Sequence, residues 1–239
     1  MKKKCVRIDV VANNYPSGSG FQVGWGNACL IRRMGRFVLF DTGGDGEFLL
    51  HNLKKLKVRP SEVGDVVISH DHDDHTGGLW GLLAINRKAR VFAPASVSRL
   101  FKDRVLSAGA RLVSVSEPIK ICDAIHSTGQ MRGLKWEQSL AVRTPEGLVI
   151  LTGCAHPGVV RIVERCMKLL KDKPYHLLGG FHLRDAASGK IDGVIRRLRR
   201  LGVARISPNH CTGAMASRRF KAAWGKDYVE TGCGATIEI

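Results

Sequence analysis

The sequence has no apolar run near the ~20 residues that cross a bilayer; even 148–152 and 159–163 are soon broken by glycine, arginine or glutamate. No membrane partner is expected. Its seven cysteines are odd in number and contain no CxxC pair, which argues against a disulfide framework. Cys5-Val6-Arg7-Ile8-Asp9-Val10 alternates and carries charge where a signal peptide would place its apolar stretch. A cytoplasmic protein is therefore expected, with most thiols serving as small buried hydrophobes. Proline, serine and glycine nowhere gather into a long linker and no self-similar period recurs, so one domain over 1–239 is expected. Aromatic residues make up only 6%, and no basic stripe is interleaved with them, so nucleic acid is a less favoured partner. Acidic residues are also few: 21 Asp plus Glu face 38 Lys plus Arg, a net charge of +17. That imbalance gathers phosphates, nucleic acid or anionic lipid at the surface without choosing among them, and plain solubility is the alternative.

What is present suits a globular chain: 239 residues with 44% hydrophobic and 25% charged side chains are enough to bury a full core. Short apolar or alternating runs at 5–11, 28–31, 37–40, 66–69, 90–93, 111–115, 140–143, 148–152, 176–178, 205–207 and 236–239 predict strands. Leu49, Leu53 and Leu56, and Val159, Val163, Cys166, Met167 and Leu170, recur at helical spacing. A third helix is predicted over 191–201, where Ile191, Val194, Ile195, Leu198 and Leu201 share one face and Arg196, Arg197, Arg199 and Arg200 read as a solvated basic one. So many strands with few helices between them suggest an α/β fold of two sheets with helices on their outer faces.

The chemistry concentrates at SHDHDDHTGGL, 69–79, directly after the apolar Val66-Val67-Ile68. Three histidines and three aspartates fall within six residues, a poor choice for a core because desolvating several titratable groups costs kilocalories without compensation. Imidazole nitrogens and carboxylate oxygens at a strand's end suit a divalent ion. His70 and His72, two apart, can converge on one ion, while Asp74 and His75 can face a second; the pair would then need ligands from distant segments. Later histidines also follow apolar runs: His156 in TGCAHPG, His182 in GGFH and His210 in SPNHCTG. His156 and His210 are candidate ligands, and His182 a ligand or acid–base group. Asp41, in FDTGG at 40–44, can accept a hydrogen bond from a ligating imidazole or cap a turn.

With these segments in order, the sequence resembles the metallo-β-lactamase fold superfamily, whose His-x-His-x-Asp-His motif is matched by His70, His72, Asp74 and His75. The resemblance implies an αββα sandwich of two mixed β-sheets flanked by helices, with a dinuclear metal site. It assigns His70, His72 and His156 to one ion and Asp74, His75 and His210 to the other, with Asp74 and His182 as catalytic candidates and Asp41 behind the ligands. More narrowly, TGCAHPG at 152–158, GGFHL at 179–183, NHCTG at 209–213 and the ending GCGATIEI look like the branch of dihydropterin-ribofuranosylaminobenzene-phosphate synthases in methanopterin biosynthesis. One departure stands out. Superfamily hydrolases usually carry a bridging Asp after a glycine on a middle strand, and Gly153-Cys154 and Gly179-Gly180 offer no carboxylate there, so a Cys154 thiolate, His156, His182 or a water is the candidate to fill that place, with Cys154 and His182 as further ligand candidates.

The expected function is a metal-dependent transferase or hydrolase with two divalent ions, zinc, manganese or iron, acting on a phosphate-bearing, heteroaromatic small molecule. Alternatives are a phosphodiesterase or nuclease, drawn from the net charge, and a metal-stabilised binding protein that lacks turnover.

Overall fold

Aliphatic runs in the first half of the chain build a seven-stranded mixed sheet. The computed structural model describes residues 6–239; the lysine-rich start and Cys5, part of the first predicted strand, lie outside the described residues. The strands are β1 (Arg7–Ala12), β2 (Ala28–Arg33), β3 (Arg36–Phe40), β4 (Val63–Val67), β5 (Arg90–Pro94), β6 (Arg111–Val115) and, from the C-terminus, β13 (Thr236–Glu238). Their order is β13-β1-β2-β3-β4-β5-β6. The first four in that order pair antiparallel, and β3 through β6 run parallel. Three helices belong to this unit: α1 (Gly46–Lys55), α2 (Asp73–Ile85) and α3 (Arg99–Ser107). Asp45 caps α1 by accepting from the Phe48 amide, and Lys54 and Lys55 sit where the helix dipole favours cations. Leu49 and Leu53 of α1, Leu79, Leu82 and Leu83 of α2, and Phe101 and Val105 of α3 bury against Leu30, Leu39, Val66 and Val91 of the sheet. Each fully buried aliphatic side chain contributes about 1.5–3 kcal/mol.

A second compact unit covers 117–230. Its sheet has the order β12-β11-β10-β9-β8-β7, from β7 (Ile119–Cys122), β8 (Ile125–Ser127), β9 (Leu140–Thr144), β10 (Gly147–Thr152), β11 (Pro174–Gly180) and β12 (Arg205–Asn209). Here β10, β11 and β12 are parallel and the rest antiparallel. Helices α4 (Val159–Leu170), α5 (Ser188–Arg200) and α6 (Ala214–Trp224) cover it. Val159, Ile162, Val163, Cys166 and Leu170 form one stripe of α4 and pack with Leu148, Ile150, Leu177 and Ile206. Phe181 meets Phe220 edge-on at 5.4 Å.

The chain is thus α/β with two mixed sheets, and each predicted strand has a counterpart among the described elements, most within a residue or two. The predicted strand over 66–69 runs instead over Val63–Val67, which frees Ser69 for a different role. Two strands, β7 and β8, and three helices, α2, α3 and α6, carry no clear signal in the sequence. The strands are short, and Lys120 and Ile119 are exposed on them. Helix α2 begins inside the His/Asp cluster and holds three glycines, so its apolar positions show no separate polar face. Among the described residues no helix is long and apolar enough to cross a membrane.

Candidate metal centre

In the first unit the chain leaves β4 and enters α2 through the His/Asp cluster. His70 is buried in the connection, His72 is the exposed residue just before the helix, and Asp74 and His75 occupy its first turn. His70 Nε2 lies 3.0 Å from His72 Nδ1. The His70 and His75 rings are 4.2 Å apart, and His75 Nε2 is 3.7 Å from Asp74 Oδ2. The His75 and His70 imidazoles are each turned by a partner on the other nitrogen. His75 Nδ1 donates to Asp41 Oδ2 at 2.7 Å. Ser69 Oγ donates to the same carboxylate oxygen at 2.7 Å and stands 2.9 Å from His70 Nδ1. Asp41 also accepts from the Ser69 amide at 2.6 Å. Burial pushes the Asp41 carboxyl above its ordinary value, against the opposing pull of His75 and Ser69.

Glycines bring Asp41 and His75 together. A Cβ on Gly77 would collide with the Gly44 carbonyl, and one on Gly78 with the Thr42 carbonyl, so the DTGG turn and the start of α2 pack backbone against backbone. Thr42 seals the contact, its amide donating to the His75 carbonyl at 2.9 Å and its hydroxyl to the same oxygen at 2.8 Å. Asp41 itself takes a left-handed backbone, φ 56°. His182 and His210 do so too, at φ 51° and 48°. Histidine and aspartate are among the residues that tolerate this region, and such conformations collect at functional sites.

In the second unit the candidates follow the C-terminal ends of three adjacent parallel strands: Cys154 and His156 after β10, His182 after β11, His210 and Cys211 after β12. Ligand atoms of Cys154, His156 and His182 lie within 4.8 Å of one another, as do those of Cys154, His210 and Cys211. Glu137, fully buried, holds the first of these segments. One oxygen accepts from the Cys154 and Ala155 amides at 3.0 and 2.8 Å, and the other from the His156 amide at 2.9 Å and His156 Nδ1 at 2.8 Å. Burial works to raise Glu137, but the hydrogen bonds and charge of His156 and the backbone amides outweigh it and hold the carboxyl below its usual range. A hydrogen bond with Cys154 pulls the Cys211 thiol down to about 4 against its burial, with His182 assisting. The reciprocal contact with Cys211 raises His182, which is exposed.

The donor set fits a divalent first-row cation. Two imidazole nitrogens ligating one tetrahedral ion at ~2.0–2.1 Å stand about 3.3 Å apart, close to the His70–His72 separation of 3.0 Å. Two imidazole lone pairs at that distance repel unless a proton or cation lies between them. The buried carboxylates behind His75 and His156 have the geometry that orients metal-ligating histidines.

A family model described as "Metallo-beta-lactamase superfamily" matches residues 23–151, more than half of the chain. This chain belongs to the metallo-β-lactamase superfamily. It is 29% identical over 247 residues to the 7,8-dihydropterin-6-methyl-4-(β-D-ribofuranosyl)-aminobenzene-5'-phosphate synthase of Methanocaldococcus jannaschii, covering 84% of each chain. Among solved structures, a metal-dependent hydrolase of the β-lactamase superfamily aligns with TM-score 0.80 and 27% identity over 98% of this chain and 99% of its own. The metallo-β-lactamase fold protein YhfI from Bacillus subtilis aligns with TM-score 0.72 and 12% identity, over 99% and 100%.

Within this superfamily fold, three side chains that contact or join the candidate ligands escaped the sequence reading. Ser69 was counted in a strand, Glu137 lies in an unmarked loop, and Cys211 was passed over beside His210. The one available signal was the repeated company of cysteine and histidine in GCAH and NHC.

Proposed function

We propose that this protein is a dinuclear metal-dependent enzyme acting on a phosphorylated small molecule, with a pterin-type synthase as the leading reaction and hydrolysis as its simpler variant. The observation that carries the reading is the pair of buried carboxylates, Asp41 and Glu137, each accepting a hydrogen bond from the Nδ1 of a histidine. That arrangement supports ligation through the opposite nitrogen of His75 and His156, as a carboxylate behind a histidine does at metal sites. The candidate ligands are His70, His72, Asp74, His75, His156 and His210, with Cys154 in addition and zinc, manganese or iron as the ions. Divalent ions held there would neutralise phosphate charge and polarise the bond to the leaving group. The relationship to the methanopterin-pathway synthase, at 29% identity over 84% of both chains, supports a dihydropterin substrate.

In the synthase reaction, the aminobenzene acceptor attacks the pterin methylene carbon, the bond from that carbon to the diphosphate oxygen breaks, and a proton leaves the acceptor. His182 is the proposed recipient of the proton: it is exposed, its ring lies 4.6 Å from that of His156, and it can pass the proton to solvent. Asp41, Ser69 and Glu137 keep the ligating rings in one orientation, so that little reorganisation is needed when charge develops.

The test is to incubate metal-loaded protein with a dihydropterin methyl diphosphate and a ribofuranosylaminobenzene phosphate. A coupled product with one diphosphate released per turnover supports the synthase, and release without coupling supports the hydrolase. Tight binding without product at full metal occupancy overturns the enzymatic reading. Cleavage of oligonucleotides, with affinity falling steeply as salt rises, overturns the small-molecule substrate.

A further inference from the structure

Of the six described cysteines, Cys154 and Cys211 are the two whose sulfurs gather with histidine nitrogens. All six are free thiols. Cys166 lies inside the hydrophobic cluster of its unit, in which neither Cys154 nor Cys211 takes part, although both are buried at 5% and 8% exposure. They lie instead at the strand ends that carry the histidines. Sulfur and nitrogen atoms of Cys154, His210 and Cys211 sit within 4.8 Å of one another, and the Cys211 thiol is 3.7 Å from the Cys154 carbonyl.

The backbone makes room for this meeting. The two cysteines follow β10 and β12, with β11 between them. The intervening strand ends on Gly180, where a Cβ would stand 2.5 Å from the Gly153 carbonyl oxygen, 2.7 Å from Cys211 Sγ and 3.3 Å from the Cys154 Cα. Any side chain there would drive the sulfur out of its place. Thr152 Oγ donates to the Gly180 carbonyl at 2.8 Å, and the Phe181 amide donates to Thr212 Oγ at 3.1 Å, which ties the three strand ends in register. His210, adjacent to Cys211, holds a left-handed backbone, φ 48°, a conformation that histidine tolerates and that collects at functional sites.

We propose that Cys154 and Cys211, together with His210, form a thiolate-bearing cation subsite, so that this chain selects thiophilic ions such as zinc or cobalt over magnesium or manganese. The inference rests on the metal-enzyme reading above and deepens it by assigning Cys211 and the ion class. Its chemical basis is ligand softness: thiolate and imidazole favour zinc-like ions, whereas carboxylate and water suit harder ones. On binding, each thiol loses its proton to solvent and each sulfur gives one electron pair to the ion, with no change of oxidation state.

The experiment uses the full chain, stripped of metal under reducing conditions and titrated with cobalt(II). Visible ligand-field bands report histidine-type binding, and near-ultraviolet sulfur-to-cobalt charge transfer reports thiolates. The expected result is a charge-transfer band that loses about half its intensity in Cys154→Ser and in Cys211→Ser, disappears in the double variant, and is unchanged in Cys166→Ser. In competition titrations each single variant should also lose at least about tenfold in zinc affinity relative to manganese. Ligand-field bands without charge transfer in the unaltered protein overturn the thiolate assignment and leave the metal enzyme standing; absence of both band types overturns the metal reading itself. A full-strength band in Cys211→Ser removes that residue from the subsite. Should a serine variant fail to fold, zinc protection of two thiols from an aromatic disulfide reagent in the unaltered protein decides the matter, since reaction at the same rate with and without zinc is incompatible with ligation.

Discussion

Asp41 Oδ2 lies 2.7 Å from His75 Nδ1, with both side chains sealed from solvent, and the same oxygen also accepts from Ser69 Oγ beside His70. One carboxylate therefore aims two imidazoles. Replacing Asp41 by Asn keeps the size of the side chain and a residue type that tolerates the left-handed backbone, but removes the negative charge behind His75. Metal affinity should fall about 10–100-fold, with the protein still folded. Calorimetric zinc titration of Asp41→Asn against the parent checks this; equal affinities would show that Asp41 only braces the turn.

His72 is exposed and Asp74 partly so, and neither contributes to the core. Alanine at either position should abolish stoichiometric metal binding and turnover while changing the apo-protein's stability by less than about 0.5 kcal/mol. Elemental analysis of purified variants alongside thermal melts is the measurement. Retained metal in both would take these residues out of the ligand set.

Glu137 is a larger risk to the fold. Its two oxygens satisfy three backbone amides and the His156 ring, and the carboxylate itself is buried. Gln presents only one acceptor oxygen, and its amide group would face donors. Glu137→Gln should cost roughly 2–4 kcal/mol in urea denaturation, in line with an unsatisfied buried group at a charged hydrogen-bond centre.

His176 predicts an acid sensitivity separate from the metal centre. Burial, with Arg205 adding to it, pulls this imidazole down to about 3 from 6.5. Its Nε2 contacts Ser207 Oγ at 2.8 Å. Between those two values the unfolded chain binds a proton that the folded chain refuses. The contribution to stability is therefore complete above pH 6.5 and is lost as pH falls toward 3, at up to about 1.4 kcal/mol per pH unit. Denaturation curves at several pH values should show a shallower slope between pH 6 and 4 for His176→Gln; parallel slopes would mean that other groups govern acid unfolding.

Much of the framework was legible in the sequence because short-range patterns encode it. Strands such as β6, predicted over 111–115 and observed over Arg111–Val115, need only a β-rich run bounded by turn residues. Helix α4 announced itself through the stripe from Val159 to Leu170. Helix α2 did not, because its glycines allow close backbone packing against Thr42, Gly44 and Gly46, a purpose invisible to periodicity. Glu137 was illegible for a similar reason: an isolated Glu in a loop looks solvated until the amides of Cys154, Ala155 and His156 turn toward it.

Composition and local order alone determined the α/β class, the lack of an apolar run of bilayer length, and the kinds of donor atom available, since these depend on which residues occur and at what spacing. Tertiary structure decided which carboxylate stands behind which imidazole and which thiols meet. Asp41 and His75 are 34 positions apart, Glu137 and His156 are 19, and Cys154 and Cys211 are 57. Hydrogen bonds act over about 3 Å, so partners that distant along the chain are chosen only when the folded backbone delivers them to one place.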